Sequence, residues 1–228
     1  VEADGSAHFK APAGVALAFQ ALDQRGQSVQ FMRSVTYLQP GEFVSCIGCH
    51  ERRTLAPPNY PIGLAARRAP SDIRPGPDGS KPFGYPRLVQ PVLDRHCIEC
   101  HGRDRTEGDV DLTGDPPEAE DGERSPFSRS YLALAPLVKY AQWGAMGGEW
   151  DFRVSNCEPV TKPDFFGSRA SRLIHMLREG HEGVELSDED FERLITWADN
   201  NVLFYGTFDP EDQARQLRGE LIEGPLVD

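Results

Sequence analysis

The 228 residues carry a formal charge of −12, which excludes nucleic acid as an expected partner, because phosphate recognition needs clustered cations. Only 39% are hydrophobic, and 22 glycines with 19 prolines interrupt them, so a loop-rich chain is expected, with room for an apolar group in its interior. No run approaches the ~20 apolar residues of a membrane-spanning helix, and no transmembrane segment is expected.

The first residues, Val1-Glu2-Ala3-Asp4, offer no Met, basic region or apolar run; no signal peptide is expected in them, and the chain reads as a processed product or an excised piece. Ala7-His8-Phe9-Lys10, Val15 to Gln20 and Val29-Gln30-Phe31-Met32 read as strands, punctuated by turns at Asp4-Gly5, Pro12-Ala13-Gly14 and Asp23 to Gly26. They predict a small β-sandwich-like segment.

That segment leads into Cys46-Ile47-Gly48-Cys49-His50, and the pattern recurs as Cys97-Ile98-Glu99-Cys100-His101. Random placement of the cysteines and histidines gives on the order of 10⁻³ such matches, so two are not chance. Two thiols three residues apart on a helical turn reach the two vinyl groups of one haem, and the following histidine projects under the porphyrin as an iron ligand. A thioredoxin-like pair needs neither the histidine nor a second copy. A four-cysteine zinc site would join arms about fifty residues apart and leave both histidines unused; two disulfides are the remaining alternative. The motifs therefore predict a dihaem c-type cytochrome with two covalently bound haem c groups, held by Cys46, Cys49, Cys97 and Cys100, with His50 and His101 on iron. Haem attachment takes place outside the bacterial cytoplasmic membrane, which predicts a periplasmic or otherwise extracytoplasmic location. Cys157 is the odd thiol, read as a small buried hydrophobe with a reactive thiol as the alternative.

Residues 51–82 hold seven prolines and the basic side chains Arg52, Arg53, Arg67, Arg68, Arg74 and Lys81. They are either propionate partners, where a guanidinium fork suits a carboxylate, or a solvated linker. This loop closes a β-rich unit at 1–82; residues 83–228 are expected to form a loop-rich, mainly α, cytochrome c-like domain, making the whole α+β. Pro91 opens a helix through Val92, Leu93, Cys97 and Cys100 that ends at His101. Nine carboxylates against three arginines between Arg103 and Arg124 predict an exposed loop; Asp109-x-Asp111 lacks EF-hand spacing. Ser168 or Ser171 starts a helix that Gly180 stops, and Ser187 caps another, with Asp190 at the third position and Phe191, Leu194, Ile195 and Ala198 on its apolar face. Trp197 lies beside that stripe, either at a haem edge or in the core.

Between these helices His181 sits in a short tight loop, a fixed geometry that suits the sixth ligand of the second haem. His96 precedes Cys97 and is the candidate sixth ligand of the first haem, with a place on the helix surface as the alternative. Met32 and Met146 are thioether candidates for that iron, whose sixth ligand stays open. His8 and His175 are expected at the surface.

Phe31-Met32-Arg33-Ser34, Tyr37 to Glu42 and Ser45 to Glu51 together resemble the haem-bearing region of the hydrazine synthase alpha subunit family. So do Val92 to Cys97, Phe166-Gly167-Ser168, Gly180-His181 with Val184-x-Leu186-Ser187, and Tyr205-Gly206. The resemblance implies bis-histidine ligation of the second haem by His101 and His181, and an unusual first haem that is catalytic in the synthase. There a tyrosine four residues after the motif histidine ligates that iron; the position is Thr54 here. In that family these domains usually follow a β-propeller, which these 228 residues do not include. Three functions are open on this reading, the last a docking module within a larger redox complex. One is electron transfer to a redox partner protein, basic by complementarity or part of a larger redox complex. The alternative is a haem enzyme with an open first haem, peroxidase-like or hydrazine synthase-like in its small nitrogen chemistry.

Overall fold

The computed structural model describes residues 1–32, 35–48, 61–76, 79–118, 125–140 and 163–224. Strand β1 (Ala16–Leu17) pairs antiparallel with β4 (Thr36–Tyr37), and β2 (Gln20–Leu22) with β3 (Ser28–Phe31). These are two separate two-stranded sheets where the alternating pattern predicts a sandwich. The physical reason is a lack of apolar faces. All of β2 is exposed, and among the described residues of the strands and their turns the fully buried ones are Gln27 and Ser28, both polar; a sandwich needs apolar rows on two facing sheets. The strand expected at Ala7–Lys10 reduces to one parallel bridge from Phe9 to Ser71.

Among the described residues the α-helices are α1 (Tyr85–Leu88), α2 (Gln90–His96), α3 (Ile98–His101), α4 (Arg129–Leu134), α5 (Arg172–Glu179), α6 (Asp188–Asp199) and α7 (Pro210–Leu217). Among the described residues none is long and apolar enough to cross a membrane. The architecture is thus mixed α and β. Pro91 lies in the first turn of α2, as expected. The chain breaks helical geometry at Cys97 (φ −122°, ψ −36°) before α3, yet hydrogen bonds run on through it, from the Cys97 amide to the Leu93 carbonyl and from the His101 amide to the Cys97 carbonyl.

Helix α5 starts after Ser171 and ends at Gly180, whose φ of 104° a side chain would resist. Helix α6 is capped by Ser187, whose hydroxyl accepts the Asp190 amide at 3.1 Å. Their apolar faces meet α1, α2 and α4 in one core containing Tyr85, Val92, Leu93, Leu134, Ile174 and Leu194. Each such side chain contributes roughly 1.5–3 kcal/mol by leaving water, offset by the entropy of ordering it. Trp197 belongs to this core. It is fully buried, edge-on to Tyr85 at 5.2 Å and to Tyr131 at 6.1 Å, so packing accounts for it.

A buried carboxylate joins the β-rich segment to the helices. At the end of α6, Asp199 accepts the amides of Ser28 (2.9 Å) and Ser168 (2.7 Å) and the Ser168 hydroxyl (3.0 Å). Burial raises its pKa, opposed by these hydrogen bonds, and burial wins. Gly167 is obligatory beside it: a Cβ there would lie 2.3 Å from Asp199 Oδ1 and 2.5 Å from the Phe31 ring. Arg169 to Asp23 and Arg178 to Gln27 extend the same seam.

Candidate functional site

Cys97, Cys100 and His101 stand half-buried where α2 passes into α3. Both cysteines are free thiols. Burial pushes the Cys97 thiol up to about 11, reinforced by Asp94 and Cys100. A thiol this hard to ionise is a poor redox nucleophile at neutral pH, which argues against a thioredoxin-like dithiol. The Leu112 amide holds the His101 carbonyl at 2.7 Å, fixing the end of α3.

His181 arrives from the other side of the core in the turn between α5 and α6. Gly180, Glu182 and Gly183 all have positive φ, at 104°, 47° and 77°, and the Val184 amide closes the turn on the His181 carbonyl at 2.9 Å. The rings of His101 and His181 meet with centroids 5.9 Å apart and planes 13° from parallel. Two metal–nitrogen bonds of about 2 Å each, with about 1 Å from each ring nitrogen to its centroid, sum to about 6 Å. The observed centroid separation matches that sum, with the ring planes near parallel. His101 Nδ1 is buried without a hydrogen-bond partner, as are Tyr85 OH, Arg129 Nε and Trp197 Nε1 among the described residues. Two thiols and two opposed imidazoles are the donor set of a c-type haem, so these residues fit that group. Among the described residues no group of three or more His, Cys, Asp or Glu is placed to hold a bare metal ion; a haem asks for only two protein donors on its iron.

The remaining candidates are spread through the fold. The Nε2 of His96 bonds Asp190 Oδ2 at 2.9 Å, and the neighbouring Arg95 bonds Asp190 Oδ1 at 2.5 Å. Burial works to raise the Asp190 pKa, but the hydrogen bonds from His96 and Arg95 prevail and hold it below the ordinary value. His175 is exposed and bonds the Arg169 carbonyl at 2.7 Å. Among the loop arginines, Arg68 pairs with Glu2 at 2.6 Å.

At the first motif Cys46 is an exposed free thiol, preceded by exposed Phe43 and Val44 and followed by Ile47. Cys49, His50, Thr54, Met146 and Cys157 lie outside the described residues. Met32 is half-buried. Sequence reasoning set His8 aside, yet its ring packs edge-on against Phe43 at 5.6 Å, beside the approach to Cys46. Phe43 is 35 residues away in sequence, so local pattern does not reveal the contact.

Residues 1–51 match the family model of the hydrazine synthase alpha subunit middle domain, a span that takes in the whole first motif. Among solved structures, the hydrazine synthase of Kuenenia stuttgartiensis is similar with a TM-score of 0.53 and 20% identity, covering 83% of this chain and 30% of that one. At that identity the likeness is one of fold, and this chain spans under a third of its neighbour's length. No protein of curated function matches. The chain is thus related to the hydrazine synthase alpha subunit, as its motifs suggest.

Proposed function

We propose that this chain is the dihaem part of a hydrazine synthase-like redox protein working outside the cytoplasm. The first haem, on Cys46, Cys49 and His50, is where a small nitrogen compound or a peroxide reacts. The second, on Cys97, Cys100, His101 and His181, passes electrons to or from it. The match over residues 1–51 carries this reading, because it falls on the first motif.

The residues divide the work. Cys97 and Cys100 would hold the second group through thioether bonds. His101 and His181 would hold its iron, which suits electron transfer rather than substrate binding. Haem bound there supplies one-electron chemistry at a potential set by axial ligand and burial. Thr54 stands where the synthase has a ligating tyrosine, so the first site is chemically distinct and its substrate is named only by class. The charge of −12 favours a basic redox partner or a cationic face of a larger complex.

Carbon monoxide titration of the fully reduced protein tests the division. One equivalent per two haems supports an open first haem beside a saturated second. No binding at either supports the second reading, electron transfer alone, which the paired His101 and His181 favour.

A further inference from the structure

We infer that Asp190 is the positioning residue that sets the spacing of His101 and His181. The inference rests on the proposed haem site and names what holds its two axial histidines in register. Those histidines come from separate elements: His101 from the end of α3, which continues α2, and His181 from the turn before α6. Asp190 is bonded to residues that precede one motif and follow the other histidine in sequence: Arg95 and His96 before Cys97, and Ser187 after His181. On its own side it is the third residue of α6, and its amide closes the Ser187 cap, six residues after His181. Across the core its carboxylate takes Arg95 on one oxygen and His96 on the other, the two residues before Cys97.

The carboxylate keeps a bond to the Ser187 side chain at its own helix start, as a cap requires. Beyond that, its two oxygens reach Arg95 and His96 on the neighbouring helix. The carboxylate is 11% exposed while its partner Arg95 is 52% exposed, so the acid is the fixed end of the network and the cations come to it. Charge-assisted bonds to a largely buried carboxylate have defined directions. Asp190 thus ties the haem-motif helix to the loop that presents the opposing imidazole.

The experiment compares wild type, Asp190→Asn, Asp190→Ala and Arg95→Ala as matured, haem-loaded proteins, with Asp23→Asn as a control for general loss of stability at the Arg169 seam. Intact mass reports haem content first. Haem missing from Cys97 and Cys100 in wild type refutes the site reading, separately from any role of Asp190. The second readout is the rate at which added cyanide or carbon monoxide displaces His181 from the second haem. It should rise about tenfold in Asp190→Ala, less in Asp190→Asn and Arg95→Ala, and stay unchanged in Asp23→Asn. The third, independent of haem, is amide hydrogen exchange in residues 181–187, which should quicken in Asp190→Asn. Displacement and exchange rates equal to wild type in the Asp190 variants, or an equal rise in the control, would overturn the assignment.

Discussion

The imidazoles of His101 and His181 face one another with centroids 5.9 Å apart and planes 13° from parallel. One ends a helix and the other sits in a turn with three positive-φ residues around it, so neither side chain is free to drift. A separation that fits two bonds to one iron is built into the polypeptide. The account of the second haem stands on this pair.

Replacing His181 with Ala should therefore open one face of the second haem while Cys97 and Cys100 keep it attached. The ferric protein should gain a high-spin signal in paramagnetic resonance, and the reduced protein should bind one further equivalent of carbon monoxide. Spectra identical to wild type would mean that His181 is not on the iron.

Gly167 offers a stability test away from the site. Its φ of 72° and ψ of −157° belong to a region essentially reserved for glycine, and an added methyl would meet Asp199 and Phe31. Gly167→Ala should cost about 3 kcal/mol, combining backbone strain with overpacking. Urea denaturation at fixed pH measures it; a cost within error of zero would show that this seam yields easily.

Asp199 sets a pH dependence whose sign is fixed. Its folded pKa lies above the ordinary 3.8 because burial outweighs the hydrogen bonds from Ser168 and Ser28. Between the two values the native state binds more protons than the unfolded chain. Its contribution is therefore fully present below 3.8 and is lost as pH rises through the folded pKa. Asn at this position cannot titrate. The Tm of wild type minus that of Asp199→Asn should fall as pH climbs from about 3 to about 7, and parallel curves would contradict the raised pKa.

Much of this was legible in the sequence, and what was missed has physical causes. The helix ends at Ser171, Gly180 and Ser187 follow from local chemistry, and so do the two haem motifs. His181 stood out because a histidine pinned between two helix signals is a local pattern too. The contact of His8 with Phe43 and the reach of Asp199 to Ser28 join segments distant in sequence, and the ribbons fall short of a sandwich because their strands lack apolar faces. Asp190 was read as part of a cap; its second role, toward Arg95 and His96, depends on how α2 and α6 pack. Trp197 was left between haem edge and core, and only the packing of Tyr85 and Tyr131 around it decides.

Ser187→Ala should destabilise by about 1 kcal/mol through loss of the α6 cap. Because the same residue anchors the loop after His181, hydrogen exchange at residues 181–186 should rise more than in α7, whose own cap at Asp209 is untouched. Uniform acceleration across both regions would mean that the cap acts on global stability alone.

The most direct measurement is the intact mass of the chain matured in a host that attaches haem c, with its thiols counted by alkylation. The account predicts the polypeptide plus two haems, with Cys46, Cys49, Cys97 and Cys100 blocked and Cys157 the one thiol left to react. A mass equal to the amino acids alone, with five alkylable cysteines, would contradict it.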